Sequence, residues 1–585
     1  MIGCDVAKKT KTKSVNARTQ RLYFLGCASV LWVGLLTWRL LNLQVFSFET
    51  WSGWASKQHF GEVEISSERG PIYDRNKKAL ALSVPASSIF IRPKLVKNKE
   101  EAARVLSSLL SVDRKELHGK LVSGKPFVWV KRQIPRSDAE LIEELKIPGV
   151  GSLLEAKRYY PYNQAAAQLV GKVGIDGQGL TGLEILFDKK LHSTHQKFTV
   201  ERDAVGNIIQ TSATQSMSLP KGEAVQLTID ADMQLILDEE LERGRIGAKA
   251  KGALGVLIDT ETGEILAMGQ SPTINLNTEV IADKKALRNR IFETVIEPGS
   301  IIKPIVAASA IDLHEANSTD MINCENGRYS IGKHTIKDVH PSGVISLHDV
   351  VVRSSNIGMT KIGMRLGKER LYHELRKFGF GGFSGLNFPG ETRGILRKPE
   401  NWALVDVATH SFGQGVAVTP LQMVRAISAL SNKGVLPTLK LIEDGKKIVP
   451  GDVILSERAA QLGKEMMYGV VEEDHGTGKL AKISGVKIGG KTGTAQKARA
   501  NGKGYEPGAY VASFAGFAEA NEIGIDQKLS LVVMIDEPQG GVIYGGALAA
   551  PVFKRVMIRT LQHLAMKNSN SIPTQSMMQT VSYSQ

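Results

Sequence analysis

The stretch Ala253-Leu254-Gly255-Val256-Leu257-Ile258-Asp259-Thr260-Glu261-Thr262-Gly263-Glu264-Ile265-Leu266-Ala267-Met268 reads as a β-hairpin. Two apolar runs flank a polar turn that closes on glycine. Upstream, residues 225–230 read as a strand and 233–243 as a helix. Downstream, helical segments fill much of the middle. Residues 511–518 and 529–535 then give two more strand-like runs, and a Gly-rich turn leads to a helix expected to start at Pro551, where proline suits a first position. Hairpin, helical middle, further strands and a closing helix predict an α+β domain, an antiparallel sheet flanked by helices. The chain has no internal repeats.

At 585 residues the chain is too long for one ordinary domain. Its 42% hydrophobic and 23% charged residues describe folded cores. A net charge of +15, from 74 basic against 59 acidic residues, could suit an anionic partner. No basic stripe interleaved with aromatics accompanies it, so nucleic acid is not expected. Cys4, Cys27 and Cys324 form no C-x-x-C pair and no zinc-ligand spacing, which predicts neither a disulfide framework nor a metal site.

Lys8, Lys9, Lys11, Lys13, Arg18 and Arg21 precede an uncharged stretch from Leu22 to Trp38, extended by Leu40, Leu41 and Leu43 with Arg39 able to snorkel. This is long enough to cross a bilayer once, with Trp38 near the interface. The basic flank places the N-terminus inside and the remaining chain outside. No A-x-A-like cleavage site follows, so the segment reads as a retained anchor and not as a signal peptide. Cys27 comes too early in the apolar run for a lipoprotein site. Between the anchor and residue 220 the sequence is mixed, with helices expected over 100–110 and 137–145 and a turn cluster at Arg69-Gly70-Pro71-Ile72-Tyr73-Asp74-Arg75-Asn76.

Three short motifs carry the chemistry. Glu297-Pro298-Gly299-Ser300-Ile301-Ile302-Lys303-Pro304 precedes the apolar run 305–311, so Ser300 and Lys303 fall on one face at a helix start. A serine hydroxyl needs a base to become a nucleophile, and a desolvated lysine can be one. A helix start also supplies an N–H for an oxyanion. Ser218-Leu219-Pro220-Lys221 and Ser484-Gly485-Val486-Lys487 fit the same S-x-x-K spacing, but neither opens an apolar helix. The second motif is Ser354-Ser355-Asn356, whose hydroxyl can relay a proton and whose amide can hold a peptide; Ser14-Val15-Asn16 has the same S-x-N form. The third is Lys491-Thr492-Gly493-Thr494, the only K-[ST]-G in the chain, a cation and two hydroxyls suited to a substrate carboxylate. Residues 485–492 also match the phosphate-binding G-x-x-x-x-G-K-[ST], but that motif requires a helix immediately afterwards, and Gly493-Thr494-Ala495-Gln496 is a poor one.

In this order, the three motifs are the joint signature of β-lactamases and penicillin-binding proteins. From Arg39 to about Leu564 the chain resembles a class B penicillin-binding protein. Arg69–Asn76, Gly182-Leu183-Glu184 and Arg202-Asp203-Ala204-Val205-Gly206 look like the signatures of the pedestal, or dimerisation-type, domain of that class. Leu227-Thr228-Ile229-Asp230, Thr262–Met268, Ser411-Phe412-Gly413-Gln414-Gly415 and Val418-Thr419-Pro420-Leu421-Gln422 resemble its transpeptidase domain. Ile336-Lys337-Asp338, Asp536-Glu537-Pro538, Tyr544-Gly545-Gly546 and Ala550-Pro551-Val552-Phe553 are similar to the septal, cell-division type. Lys77 departs from the family's usual Gly, and Ile274-Asn275 from a common Tyr-Asp.

The resemblance implies a basic cytoplasmic tail (1–21), a transmembrane anchor (22–43), a mixed α/β pedestal (44–220), a penicilloyl-serine transferase domain (221–566) and a loose polar tail (567–585). It implies a peptidoglycan D,D-transpeptidase on the periplasmic side of the inner membrane, cross-linking stem peptides that end in D-Ala-D-Ala and acylated by β-lactams. Ser300 would be the nucleophile, Lys303 the base, Ser354 the proton relay and Asn356 the amide holder. Lys491, Thr492, Gly493 and Thr494 would bind the substrate carboxylate, and the N–H groups of Ser300 and Thr494 the oxyanion. No metal or organic cofactor is implied. Partners would be divisome membrane proteins, including a lipid-linked glycan polymerase. A D,D-carboxypeptidase, a β-lactamase or β-lactam sensor, and a non-catalytic scaffold are the alternatives. The anchor and pedestal argue against a compact, single-domain β-lactamase.

Overall fold

The computed structural model describes residues 13–65, 68–192, 196–201, 221–278, 281, 283–446, 449–499 and 504–569. The signature at 202–206, the S-x-x-K at 218–221 (apart from Lys221), the start of the basic run and the tail beyond 569 lie outside them. The chain divides into two compact units: residues 1–66 with 194–220, and residues 67–193 with 221–585.

In the first unit, helix α1 (Lys13–Leu41) runs into a short π-helical turn, Asn42–Phe46, and a helix, Phe48–His59. Strand Phe60–Ile65 pairs antiparallel with Gln196–Glu201. The span Arg18–Phe46 is long and apolar enough to cross a membrane, and none of its most apolar window is buried in protein. It is the only such helix among the described residues. Leu31 and Trp32 are largely exposed, as lipid-facing side chains are.

In the second unit, the pedestal centres on the long strand Ala79–Ile91, which pairs with Val128–Ile134 on one side and Val150–Tyr159 on the other. Helices form at Lys99–Leu110 and Arg136–Glu144, within a residue of the sequence expectation at each end. Ile72–Tyr73 joins Val225–Gln226 in parallel, so the strand expected over 225–230 is short. It stops because Asp230 turns to cap α2 (Ala231–Gly247), accepting from the Asp232 and Met233 amides.

The turn cluster is built by Asp74, whose Oδ1 accepts from the Asn76 and Lys78 amides at 2.8 and 2.7 Å. Lys77 sits in that turn at φ 61°, the left-handed region that explains why glycine suits the position. Lys77→Gly is expected to stabilise the full chain in detergent by about 0.5–1 kcal/mol, the left-handed strain less the added unfolded-state entropy. A thermal melt checks this: a lower midpoint would mean that the lysine side chain contributes more than its backbone strain costs.

The predicted hairpin is present as β1 (Gly252–Asp259) and β2 (Ile265–Ser271). Asp259 Oδ1 accepts from the Glu261 and Thr262 amides, and Gly263 supplies φ 72° to close the turn. Helices α3 (Lys303–Asp312) and α4 (Asn356–Lys377) follow, then β3 (Lys487–Ala498), β4 (Tyr505–Ala520), β5 (Ile525–Asp536) and α5 (Gly545–Ser569). The five strands form one antiparallel sheet in the order β3-β4-β5-β1-β2. Alternate side chains go to opposite faces. Leu257, Leu531 and Val533 pack on one face with Leu237, Leu241 and Phe553 from α2 and α5. Val256, Val532 and Met534 pack on the other with Ile301, Ile305 and Ile427. Burial on both faces accounts for the nearly continuous apolar runs in these strands.

One expectation is corrected. The last helix begins at Gly545, with Pro551 inside it. Proline there lacks the N–H that would bond the carbonyl four residues back. The start at Gly545 is set by close approach, since a Cβ there would meet the Ser513 and Gly493 carbonyl oxygens at 2.1 and 2.4 Å.

Candidate active site

Ser300 lies in a 3₁₀ turn, Gly299–Ile302, that runs directly into α3. Every residue of α3 from Lys303 to Ile311 is buried, which explains the uninterrupted apolar sequence. The turn packs against the edge strand β3. Gly493 permits this, because a Cβ there would meet Ile301 Cγ1 at 2.9 Å and the Pro298 carbonyl at 3.1 Å. From the other side the Gly299 amide donates to the Gly413 carbonyl at 3.0 Å, and a Cβ on Gly413 would fall 2.2 Å from the Gly299 oxygen. The segment 411–415 is thus a support beneath the serine.

The three motifs converge. Lys303, fully buried, has its Nζ 2.6 Å from the Ser354 carbonyl, 2.8 Å from Asn356 Oδ1 and 3.2 Å from Ser354 Oγ. Lys491, equally buried, donates from Nζ to the same Ser354 Oγ at 3.0 Å and to the Thr492 carbonyl at 3.2 Å. No hydrogen bond joins Lys303 to Ser300 among the described residues. Thr492 Oγ1 lies 2.8 Å from Thr477 Oγ1, and Thr494 Oγ1 accepts from the Gly545 amide at 3.2 Å.

Two ammonium groups without a carboxylate bonded to either are costly in a dry site. Burial pushes the Lys303 amine down to about 7, with Asp338 and Cys324 acting in the opposite direction. Burial pushes the Lys491 amine well below the ordinary lysine range, and the neighbouring Lys303 adds to this. A neutral Lys303 satisfies its valence: two N–H donors serve the Ser354 carbonyl and Asn356, and one lone pair remains to take a hydroxyl proton.

Ser354 is held at φ 64°, a left-handed conformation uncommon for a residue with a side chain. Ser355 caps α4 by accepting from the Gly358 amide at 2.9 Å. Beneath this loop lies Asp338, at the end of the hairpin Arg328–Ile331 and His334–Lys337. Asp338, Glu297 and Tyr505 join the site without a role expected from the three motifs. Glu297 accepts from the Gly415 amide at 2.8 Å and from Tyr505 Oη at 3.0 Å, and burial raises its carboxyl. The phosphate-loop alternative is excluded by the backbone: residues 487–498 continue as β3 and no helix follows Lys491-Thr492.

A model of the penicillin binding protein transpeptidase domain matches residues 253–558, and one of the penicillin-binding protein dimerisation domain matches residues 64–227. The chain is 34% identical over 559 residues to the probable peptidoglycan D,D-transpeptidase PenA of Neisseria meningitidis, covering 94% of each chain. It is 32% identical over 557 residues to the peptidoglycan D,D-transpeptidase FtsI of Escherichia coli, covering 94% of this chain and 92% of that one. Among solved structures it is similar to penicillin binding protein 3 of Mycobacterium tuberculosis complexed with aztreonam, with 25% identity, a TM-score of 0.65, and 86% and 97% of the two chains covered.

Proposed function

The chain belongs to the class B penicillin-binding proteins, of the penicillin-binding protein 3 type, and from that premise we propose how its residues perform D,D-transpeptidation. It is a peptidoglycan D,D-transpeptidase. The observation that carries the assignment of roles is the pair of buried lysines meeting on Ser354 Oγ behind the Ser300 turn.

Ser300 Oγ attacks the carbonyl of the penultimate D-Ala while the neutral Lys303 amine takes its proton. The N–H groups of Ser300 and Thr494 hold the oxyanion. Ser354, hydrogen-bonded to both lysines, passes a proton to the departing D-Ala amine as the tetrahedral intermediate collapses. Asn356 holds the peptide, and Lys491, Thr492 and Thr494 hold the terminal carboxylate, with Gly493 letting the Ser300 turn close on the strand that carries them. An amine from a second stem peptide then attacks the acyl-enzyme, forming the cross-link and releasing Ser300. β-Lactams acylate the same oxygen because they mimic D-Ala-D-Ala.

The similarity to FtsI supports septal synthesis as the setting. The apolar helix serves as a single anchor, with the basic flank cytoplasmic and the pedestal domain (44–220) and residues 221–566 periplasmic. Divisome membrane proteins, a lipid-linked glycan polymerase among them, are the partners this setting supplies.

The test is D-Ala release from a stem-peptide donor by the full chain in detergent, with and without an acceptor amine. Release that rises with acceptor, together with a cross-linked product, is expected. Release into water alone, indifferent to acceptor, would make the chain a carboxypeptidase. No release from protein that still takes up a β-lactam would make it a scaffold.

A further inference from the structure

The Ser354-Ser355-Asn356 loop is placed from outside its own motif. Asp338 Oδ2 accepts from Ser355 Oγ at 2.6 Å, and its Oδ1 accepts from the Asn356 and Ile357 amides at 2.6 and 3.0 Å. The neighbouring Lys337 carbonyl accepts from Asn356 Nδ2 at 2.9 Å. The carboxylate thereby satisfies orphan amides in the first turn of α4, whose helical path breaks at Gly367. The same amide side chain that Lys337 holds by its nitrogen receives Lys303 Nζ on its oxygen. The Asp338 amide, bonded to the Gly327 carbonyl, ties this corner to the hairpin. We propose that Asp338 is a positioning residue for the reaction: it fixes Ser354 and Asn356 against Lys303, and its negative charge tunes the base. This rests on the roles assigned above to Ser300, Lys303 and Ser354.

Among the described residues, few charged and titratable groups surround Lys303. Lys491 faces it from β3, and Asp338 and Cys324 face it from the hairpin side. Lys361, paired with Glu325 at 2.6 Å, acts on the Cys324 thiol. Burial raises the Cys324 thiol, so it stays neutral near pH 7. Asp338 is therefore the one anion in this group acting on Lys303, and it favours the ammonium form. A residue that only stabilised the fold would leave the titration of the base alone.

The experiment is the pH profile, from pH 5 to 9, of the second-order acylation rate of the full chain in detergent by a fluorescent β-lactam. Wild type, Asp338→Asn, Asp338→Glu and Ser355→Ala are compared, with a thermal melt of each. Asp338→Asn is expected to lower the plateau rate about 10–100-fold, the scale of a misplaced catalytic group. It also moves the acid-limb midpoint down by about half a pH unit or more, because an anion beside the lysine is lost. Ser355→Ala, which loosens the loop but keeps the charge, lowers the rate without moving the midpoint. Asp338→Glu keeps the wild-type midpoint. An unmoved midpoint in folded Asp338→Asn overturns the proposal. If Asp338→Asn does not fold, a wild-type rate in Ser355→Ala overturns it. Absence of any adduct on wild-type Ser300 would instead sink the earlier assignment and is read separately by mass spectrometry.

Discussion

Lys303→Ala is expected to lower the acylation rate of Ser300 by a β-lactam about 10³-fold, within the range that a positioned general base contributes. The amine is fully buried, and its hydrogen bonds go to oxygens of Ser354 and Asn356 and to no carboxylate. Its proton affinity is set by desolvation, which places its titration at about 7. The sign follows: lowering the pH through that region protonates the base and removes the lone pair, so the wild-type rate rises with pH across 7. Lys303→Arg is not expected to rescue the rate, because a guanidinium stays protonated at every accessible pH. Ser300→Ala removes the acyl acceptor and abolishes the adduct, which peptide mass spectrometry reads at residue 300. Stopped-flow labelling of the three variants supplies the rates. Lys303→Ala within tenfold of wild type, or a rate that falls as pH rises, would exclude lysine as the base.

What made these residues visible in sequence was spacing along one element. Ser300 and Lys303 share a turn, Ser354 and Asn356 share a loop, and Lys491 to Thr494 share a strand, so each motif is local. The sheet was legible for the same reason: the hairpin 253–268 pairs neighbours in the chain, and its register follows from alternation. The supports were not legible, because each is a contact between distant segments. Glu297 meets Tyr505 across 208 positions, and Asp338 reaches its motif across 18 with a hairpin end between. Asp338 stood out only as part of a family-like Ile336-Lys337-Asp338, which carries no geometry. The last helix was misplaced because Gly545 and Gly546 read as a turn. They are glycines for packing reasons, since a Cβ on Gly546 would meet the Thr477 carbonyl at 2.4 Å. Close approach between backbones leaves the same mark in sequence as a bend.

The pedestal offers the second large effect, this time on stability. Glu184 is fully buried between two buried arginines, receiving Arg69 Nε on one oxygen and Arg158 Nε, at 2.7 Å, on the other. Arg69 also donates to Asp188 Oδ1 at 2.6 Å and to the Gly177 carbonyl at 3.0 Å, and Arg158 to the Gly70 carbonyl at 2.8 Å. The cluster thus ties the two signatures Arg69-Gly70 and Gly182-Leu183-Glu184 to the strand Val150–Tyr159. A buried ion pair adds little over a well-packed apolar cluster, but breaking one strands a charge in a dry site and costs about 3–5 kcal/mol. Glu184→Ala strands two guanidiniums of which only Arg69 keeps another carboxylate, so the upper part of that range is expected. For a domain of this size, that corresponds to a melting midpoint lowered by roughly 10–20 °C. None of these partners touches Ser300, Lys303, Ser354 or Lys491, so protein still folded at low temperature should acylate at the wild-type rate. Differential scanning calorimetry of the full chain in detergent, paired with acylation at 10 °C, separates the two readouts. A midpoint within a degree or two of wild type would mean that the arginines find water or new partners, and that the cluster orients the pedestal without stabilising it.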